Sequence, residues 1–345
     1  MNKEIIEDLG GGTYNQSIRK ITRIESGVKK TVVRKESKSK SLIKEIEFLI
    51  SLDDNSHFPK VESYNIGDGK IFYEMPFYSL KNMGEIIIQG EINSGYCIKV
   101  IGNMLDFMFK EVFSKNIGTG TSSDLIKRTF LRVKERHNQV SEKSDILKDF
   151  IRAKNVIIDG KSYRNISGII DELSNNKKLI ETLVPKQTNM IHGDFHFGNF
   201  LVDNNNPKKF ILLDPRGEKK GYDYAYDLGK FWHSFHGLYD FVHGGLFELE
   251  YKFRGDIIEV GVFEPKKIKA LKTYDKIYQK RKKFVDICVE NTGERNAELQ
   301  ILFNEAIHFC ALAPFHLKNN GIEKEPISRY LMGVKLLNEF ANGIK

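Results

Sequence analysis

The chain has 345 residues, of which 40% are hydrophobic and 29% charged, an ordinary globular composition that excludes a collagen-like, coiled-coil or disordered chain. Its 54 Lys and Arg outweigh 46 Asp and Glu, for a formal charge of +8. No apolar run approaches the roughly 20 residues that span a bilayer, and the start from Met1 to Asp8 is not apolar enough for a signal peptide, so no membrane is expected. Cys97, Cys288 and Cys310 lie far apart, which argues against a disulfide framework and fits a cytoplasmic protein. The positive charge is dense only at Lys276, Lys280, Arg281, Lys282 and Lys283, with no interleaved aromatic platform. That cluster reads as a solvated helix face, so no nucleic acid is expected as a partner. The surplus suits an anionic small ligand.

In chain order, Gly10-Gly11-Gly12-Thr13 is a turn, followed by strand-like runs from Ser17 to Ile24 and from Lys30 to Lys35. Leu42, Ile43, Ile46, Leu49 and Ile50 recur at helical spacing after a serine-rich start. Residues 70–75 form a further short strand that Pro76 ends. From about residue 79 the pattern is mostly helical, with three-to-four-residue apolar periodicity over 97–115, 122–141, 164–184, 297–318 and 326–341. One exception interrupts it. Residues 199–202 and 210–213 are short apolar runs on either side of Asp203-Asn204-Asn205-Asn206-Pro207, the pattern of a hairpin. The expected architecture is α+β, with a small β-rich lobe carrying one helix (residues 1–76) and a larger, mainly helical lobe (residues 77–345).

The chemistry concentrates between Met190 and Gly217. Asp194 falls in a loop before the hairpin, Asn199 opens its first strand and Asp214 closes its second. A hairpin brings its ends together, so an amide oxygen and a carboxylate stand side by side with a second carboxylate near them. Such oxygen donors suit Mg²⁺, which takes one or two protein carboxylates and completes its shell with water and phosphate. A carboxylate just outside that shell can accept a proton from an attacking hydroxyl. A lone Asp or Asn in a loop is usually a turn former; the joint spacing here points instead to phosphoryl transfer.

His192, Asp194 and Asn199 match the His-x-Asp-x-x-x-x-Asn catalytic-loop spacing of protein-kinase-like enzymes. The fuller form, His-Gly-Asp-x-His-x-x-Asn with His196, resembles the aminoglycoside phosphotransferase and choline kinase family. The resemblance implies a two-lobed protein-kinase-like fold with ATP and Mg²⁺ in the cleft. It implies Asp194 as the catalytic carboxylate, Asn199 and Asp214 as metal ligands, and His192 and His196 as supporting residues. Tyr226-Asp227-Leu228 resembles the family's helix start, whose Asp227 would hold the catalytic loop. Nearer the N-terminus, residues 10–15 resemble the nucleotide-covering loop, with Gly11, Gly12 and Thr13 against phosphate, although a plain hairpin turn reads equally well. Val32-Val33-Arg34-Lys35 resembles the strand whose lysine reaches the α- and β-phosphates. Arg34 and Lys35 compete for that role from opposite faces, and Lys35 is preferred because it ends the run. Glu45 resembles the helix glutamate that pairs with this lysine, with Glu47 as its rival, and Tyr73-Glu74-Met75-Pro76 resembles the hinge, where the backbone of Glu74 and Met75 would bond the purine.

After Asp214 the sequence departs from the common family pattern, with Pro215-Arg216-Gly217. Lys230, His233 and His236 then recur every three residues and are expected on one helical stripe. With Arg216 they make a cationic wall that would repel a polyamine and lacks the acidic rim a choline cage needs. The expected acceptor is a neutral or anionic metabolite, sugar-like, and the Asp-Pro-Arg-Gly segment resembles a family branch associated with bacterial surface-polysaccharide synthesis. The pairs His192/His196 and His233/His236 raise a zinc site, but no cysteine joins them. The alternatives are an amino-alcohol kinase of the choline or aminoglycoside type, a protein kinase, for which no Asp-Phe-Gly or Ala-Pro-Glu segment is seen, and a non-catalytic nucleotide-binding module. The expected partners are a nucleoside triphosphate and a small-molecule acceptor.

Overall fold

A computed structural model describes residues 4–10, 16–25, 28–52, 56–67, 69–312 and 324–344. The N-terminal runs form strands β1 (Ile5–Asp8), β2 (Gln16–Glu25) and β3 (Val28–Ser37), then helix α1 (Ser41–Ser51), then β4 (Ser63–Asn65) and β5 (Ile71–Pro76). They make one antiparallel five-stranded sheet in the order β1-β2-β3-β5-β4. Val33, Tyr73 and Met75 on this sheet and Leu42, Ile46 and Leu49 of α1 are buried in one apolar cluster, which seats the helix against the sheet. The last strand ends at Pro76, which cannot donate to a ladder.

The remainder runs β6 (Lys81–Asn82), α2 (Met83–Gln89), α3 (Ser94–Phe107), α4 (Ser122–Ile126), α5 (Arg132–Ser141) and α6 (Asp145–Arg152). Next come β7 (Asn155–Ile158), β8 (Lys161–Arg164), α7 (Ile166–Asn175), α8 (Lys177–Leu183), β9 (Phe200–Val202) and β10 (Phe210–Leu212). The chain then forms α9 (Tyr224–Phe235), α10 (Tyr239–His243), β11 (Phe247–Arg254), β12 (Ile257–Pro265), α11 (Ile268–Tyr278), α12 (Arg281–Thr292), α13 (Ala297–Cys310) and α14 (Lys324–Gly343). Every residue of α9 is buried, including Trp232, so this helix is the axis of the C-terminal part, with α13 packed along it. The expected hairpin is β9–β10, with β6 added on its other edge.

One part of the architecture departs from the expected helical pattern. Strands β11, β12, β7 and β8 form a four-stranded sheet in that order. Two tight hairpins build it. Asp159 and Gly160 both have positive φ, as a two-residue hairpin turn with the sheet's own twist requires. Residues 247–254 alternate buried and exposed at their start, the period of a half-buried strand. The expected helix over 164–184 is also split in two, because the Asn176 side chain accepts a hydrogen bond from Leu179 N–H and starts α8 afresh. The cluster at Lys276 and Lys280–Lys283 lies at the junction of α11 and α12, where its lysines are exposed. All three cysteines are buried and unpaired, and no helix among the described residues is long and apolar enough to cross a membrane.

Candidate active site

Strand β3 and helix α1 meet in a buried ion pair. Lys35 Nζ donates to both carboxylate oxygens of Glu45, at 2.8 and 2.9 Å, and reaches Asp214 Oδ1 at 2.9 Å. Burial works against the ammonium, but the carboxylates of Asp214 and Glu45 outweigh it and raise its pKa. Tyr73, registered opposite Lys35 on β5, donates its hydroxyl to Glu45 Oε1 at 2.8 Å. The rivals go elsewhere: Arg34 pairs with Glu74 and stacks on Phe72, and Glu47 is exposed.

The hairpin then performs the placement expected of it. Leu213 N–H donates to the Asn199 carbonyl at 2.8 Å, so Asn199 and Asp214 stand beside each other at its base. Asp214 holds a left-handed φ of +57°. The Asn199 amide donates to the Asp194 carbonyl at 2.9 Å, which fixes the amide and leaves its oxygen for another partner. Asn199 and Asp214 offer oxygens alone, and no group of three or more His, Cys, Asp or Glu suited to a metal occurs among the described residues. This donor set fits Mg²⁺ with its remaining positions filled by phosphate and water, and it does not fit zinc.

The catalytic loop is clamped from α9. Both oxygens of the Asp227 carboxylate accept backbone hydrogen bonds, from His192 N–H and Gly193 N–H, each at 2.7 Å. Burial pushes the Asp227 carboxyl up to about 7, against the pull of those donors. His192 Nδ1 accepts from Asp194 N–H at 3.2 Å and His196 Nδ1 accepts from Gly198 N–H at 3.1 Å, so both rings act as neutral anchors. Burial lowers their pKa values to about 3 and about 4. Gly193 has positive φ, and a Cβ there would sit 2.8 Å from Arg216 Cβ. Gly217 is similarly confined, since its Cβ would meet the Lys44 carbonyl oxygen at 2.7 Å and Phe48 Cβ at 2.9 Å. The Asp214–Gly217 segment is therefore wedged between the catalytic loop and α1.

Asp194 faces cations. Lys230 Nζ contacts its Oδ1, Arg216 Nη2 lies 3.4 Å from its Oδ2 and His196 Nε2 is 3.9 Å away. Burial would raise the Asp194 carboxyl, but Arg216 and Lys230 hold it well below the usual carboxylate range. His233 is buried against Tyr239, stacked at 4.4 Å, and its ring centroid is 5.6 Å from that of His196; neither of its ring nitrogens has a hydrogen-bond partner among the described residues.

One expectation changes. His236 is not on the stripe with Lys230: each three-residue step on an α-helix lags by about 60°, so two steps turn it away. It pairs with Glu305 at 2.8 Å, stacks on Tyr278 and lines a separate cleft with Leu299, Leu336 and Phe340. In the expected hinge, the Glu74 carbonyl accepts from Glu62 N–H at 2.8 Å, and Met75 is registered opposite Val33. The Glu74 side chain bridges Arg23 and Arg34. Gly11, Gly12 and Thr13 lie outside the described residues. The sequence reading missed Tyr73, whose pairing with Glu45 depends on strand register, and Ser234, whose hydroxyl accepts from Phe197 N–H at 3.0 Å. It also missed Arg132 on α5, which donates to the Tyr226 hydroxyl at 3.1 Å.

Compared with known proteins, the chain matches no family model and no curated protein. Its fold does match solved structures. A protein of Ralstonia eutropha JMP134 assigned as an aminoglycoside phosphotransferase superposes with a TM-score of 0.55 at 12% identity, over 99% of this chain and 94% of its own. A thermostable mutant of aminoglycoside phosphotransferase APH(4)-Ia, in a ternary complex with ADP and hygromycin B, gives 0.53 at 10% identity over 96% and 93%. A second mutant of that enzyme, in complex with AMP-PNP and hygromycin B, gives 0.53 at 10% identity over 96% and 92%. The chain thus has the two-lobed protein-kinase-like fold of aminoglycoside phosphotransferases. Nothing in these neighbours bears on surface-polysaccharide synthesis.

Proposed function

We propose that the protein is a Mg²⁺- and ATP-dependent kinase that transfers the γ-phosphate to a hydroxyl of a small, non-polyamine metabolite. The observation that carries this reading is the convergence of three separate chain segments on one cleft. Lys35, braced by Glu45, stands beside Asp214, and Asp194 stands on a loop tied to Asn199 and clamped by Asp227. Solved neighbours of the same fold hold ADP or AMP-PNP, which supports a nucleotide in this cleft.

Each residue then has a task. Lys35 steadies the α- and β-phosphates, and Glu45 with Tyr73 fixes where its ammonium points. Asn199 and Asp214 would hold the metal, which would supply charge neutralisation at the phosphates. Asp194 receives the acceptor hydroxyl. Its low pKa makes it a weak base, so it acts mainly by orienting the oxygen in line with the γ-phosphate and taking the proton late. Lys230 and Arg216 keep that carboxylate ionised and offer positive charge to the transferring group. Most of the rate then comes from positioning and electrostatics.

The test is incubation of the purified protein with Mg-ATP and matched panels of neutral, anionic and amine-bearing alcohols, followed by ³¹P NMR. A new phosphomonoester with equal release of ADP is expected from the neutral or anionic panel. Phosphorylation confined to kanamycin-like amines or choline would sink the acceptor assignment. The kinase assignment would fail if Mg-ATP neither bound nor turned over.

A further inference from the structure

Arg132 is on α5, more than 50 residues before the catalytic loop, yet the fold brings it to the acceptor side. Its Nη1 donates to the Tyr226 hydroxyl, and its guanidinium lies 5.6 Å from the centre of the Tyr226 ring. Tyr226 and Lys230 are four apart on α9, hence on one face of that helix. Lys230 in turn touches Asp194, as does Arg216. Arg136, one turn beyond Arg132, feels the charges of both Arg132 and Arg216. Four cations therefore share one neighbourhood in which Asp194 is the carboxylate that meets Lys230 and Arg216. Arg132 itself is bonded to neutral partners, Tyr226 and His308, and makes no ion pair with a carboxylate among the described residues.

Like charges brought together in a partly desolvated site repel, and that repulsion is relieved when an anion enters. Its mark is visible on the neighbours. Burial lowers the Arg136 pKa, with Arg132 adding to it. Burial would raise the Tyr226 phenol, yet Arg132, Lys230 and Arg216 together pull it below the ordinary tyrosine value. A neutral polyol would leave this field unsatisfied, and a polyamine would add to it.

We propose that the acceptor is itself an anion, carrying a phosphate or carboxylate group that is received by Arg132 and Arg216 beside Tyr226, while its free hydroxyl reaches Asp194. This rests on the kinase reading and narrows it to sugar phosphates, polyol phosphates or sugar acids. Arg216, with its side chain half exposed, closes the site from the loop after Asp214, and Arg132 forms its inner wall. The guanidinium fork suits a bidentate grip on either kind of oxyanion.

The experiment is a calorimetric and thermal-shift titration of the full chain with glucose 6-phosphate, glycerol 3-phosphate, glucuronate, glucose, glycerol and kanamycin. At least one of the three anions should bind and stabilise the protein, and its uncharged counterpart should not; the choice between phosphates and glucuronate separates the two anion types. Arg132→Gln should weaken that binding about tenfold to a hundredfold, the range for a lost charge-assisted hydrogen bond, and Arg132→Lys should restore part of it. Mg-ATP stabilisation should be the same in all three proteins. The proposal is overturned if no anion binds, if charged and uncharged probes bind alike, or if Arg132→Gln leaves anion binding intact. Failure of the kinase reading is distinguishable, because it would appear as loss of the Mg-ATP response with anion binding retained.

Discussion

The two sides of the cleft are charged in opposite senses. On the side proposed for the nucleotide one ammonium, Lys35, is shared by two carboxylates, Glu45 and Asp214. On the side proposed for the acceptor one carboxylate, Asp194, is shared by Lys230 and Arg216, with Arg132 bonded to Tyr226 one turn from Lys230. The first arrangement has a surplus negative charge, which favours a divalent cation and rejects bare phosphate. The second has a surplus of positive charge, which favours an anion and rejects amines. Each surplus suits the ligand that would enter under the proposed function, which assigns the metal to one half and the acceptor to the other.

Substitutions can break this contrast one side at a time. The largest effect is expected at Asp194, where the two halves meet. Asp194→Asn should lower turnover about 10²- to 10⁴-fold, the range for losing a general base, and leave Mg-ATP binding nearly unchanged. Turnover within about threefold of the parent would remove Asp194 from the reaction. Asp214 comes next. Asp214→Asn is the cleaner variant because asparagine tolerates the left-handed φ of +57° better than alanine. It should weaken Mg-nucleotide stabilisation by about tenfold or more in affinity through loss of a charged oxygen donor, and a thermal-shift titration with Mg-ATP checks it. Arg216→Ala should then raise the KM for the acceptor by about ten- to a hundredfold with the KM for ATP little changed. Equal changes in both constants would blur the division between the halves.

The smallest effect is expected outside the cleft, at Glu74. Its hydrogen bonds from Arg23, then Arg34 and Ser63, hold the carboxyl down at about 2 against an ordinary 4.5. A depressed carboxylate contributes stability that is complete above the unfolded-state value and is lost as pH falls towards the folded one. Glu74→Gln should thus cost about 1 to 2 kcal/mol at pH 7, allowing for solvent around Arg23 and Arg34, and almost nothing near pH 2. Chemical denaturation at the two pH values measures the difference; an undiminished cost near pH 2 would show that shape, not charge, is at work.

The juxtaposition of Asp194, Asn199 and Asp214 was legible in the sequence because its geometry is local. Asp194, Asn199 and Asp214 lie within one loop and one hairpin, so spacing alone sets their relation. The pairing of Lys35, rather than Arg34, with Glu45 followed from its place at the end of the Val32–Lys35 run, and Glu45 over Glu47 from the family resemblance alone. What escaped depends on contacts between distant segments. Tyr73 meets Glu45 only because β5 pairs with β3 in one register. Strand β7 has four residues and lies parallel to β12, which follows it by about a hundred residues, so that pairing could not be read locally, although residues 247–254 do carry a strand period. Arg132 carries no motif at all, and only the tertiary fold brings it to the Tyr226 hydroxyl. His236 shows the opposite failure: a regular spacing was read as a common face over more turns than a helix of 3.6 residues per turn permits.

The tight seat of Gly217 has a mechanical consequence. With the Lys44 carbonyl and Phe48 pressed where a side chain would project, the loop that bears Asp214 rests directly on the helix that bears Glu45. On its other flank the same loop abuts the catalytic loop through Arg216 and Gly193. Three segments are thereby geared together, and a small shove at one is transmitted to the others through backbone, with no charge involved. A single methyl group added at position 217 would act as a wedge, prising the lysine clamp from the metal loop while every ionisable residue stayed in place. Gly217→Ala should accordingly slow turnover and weaken Mg-ATP stabilisation together, and a variant that kept both would show that the gears can slip.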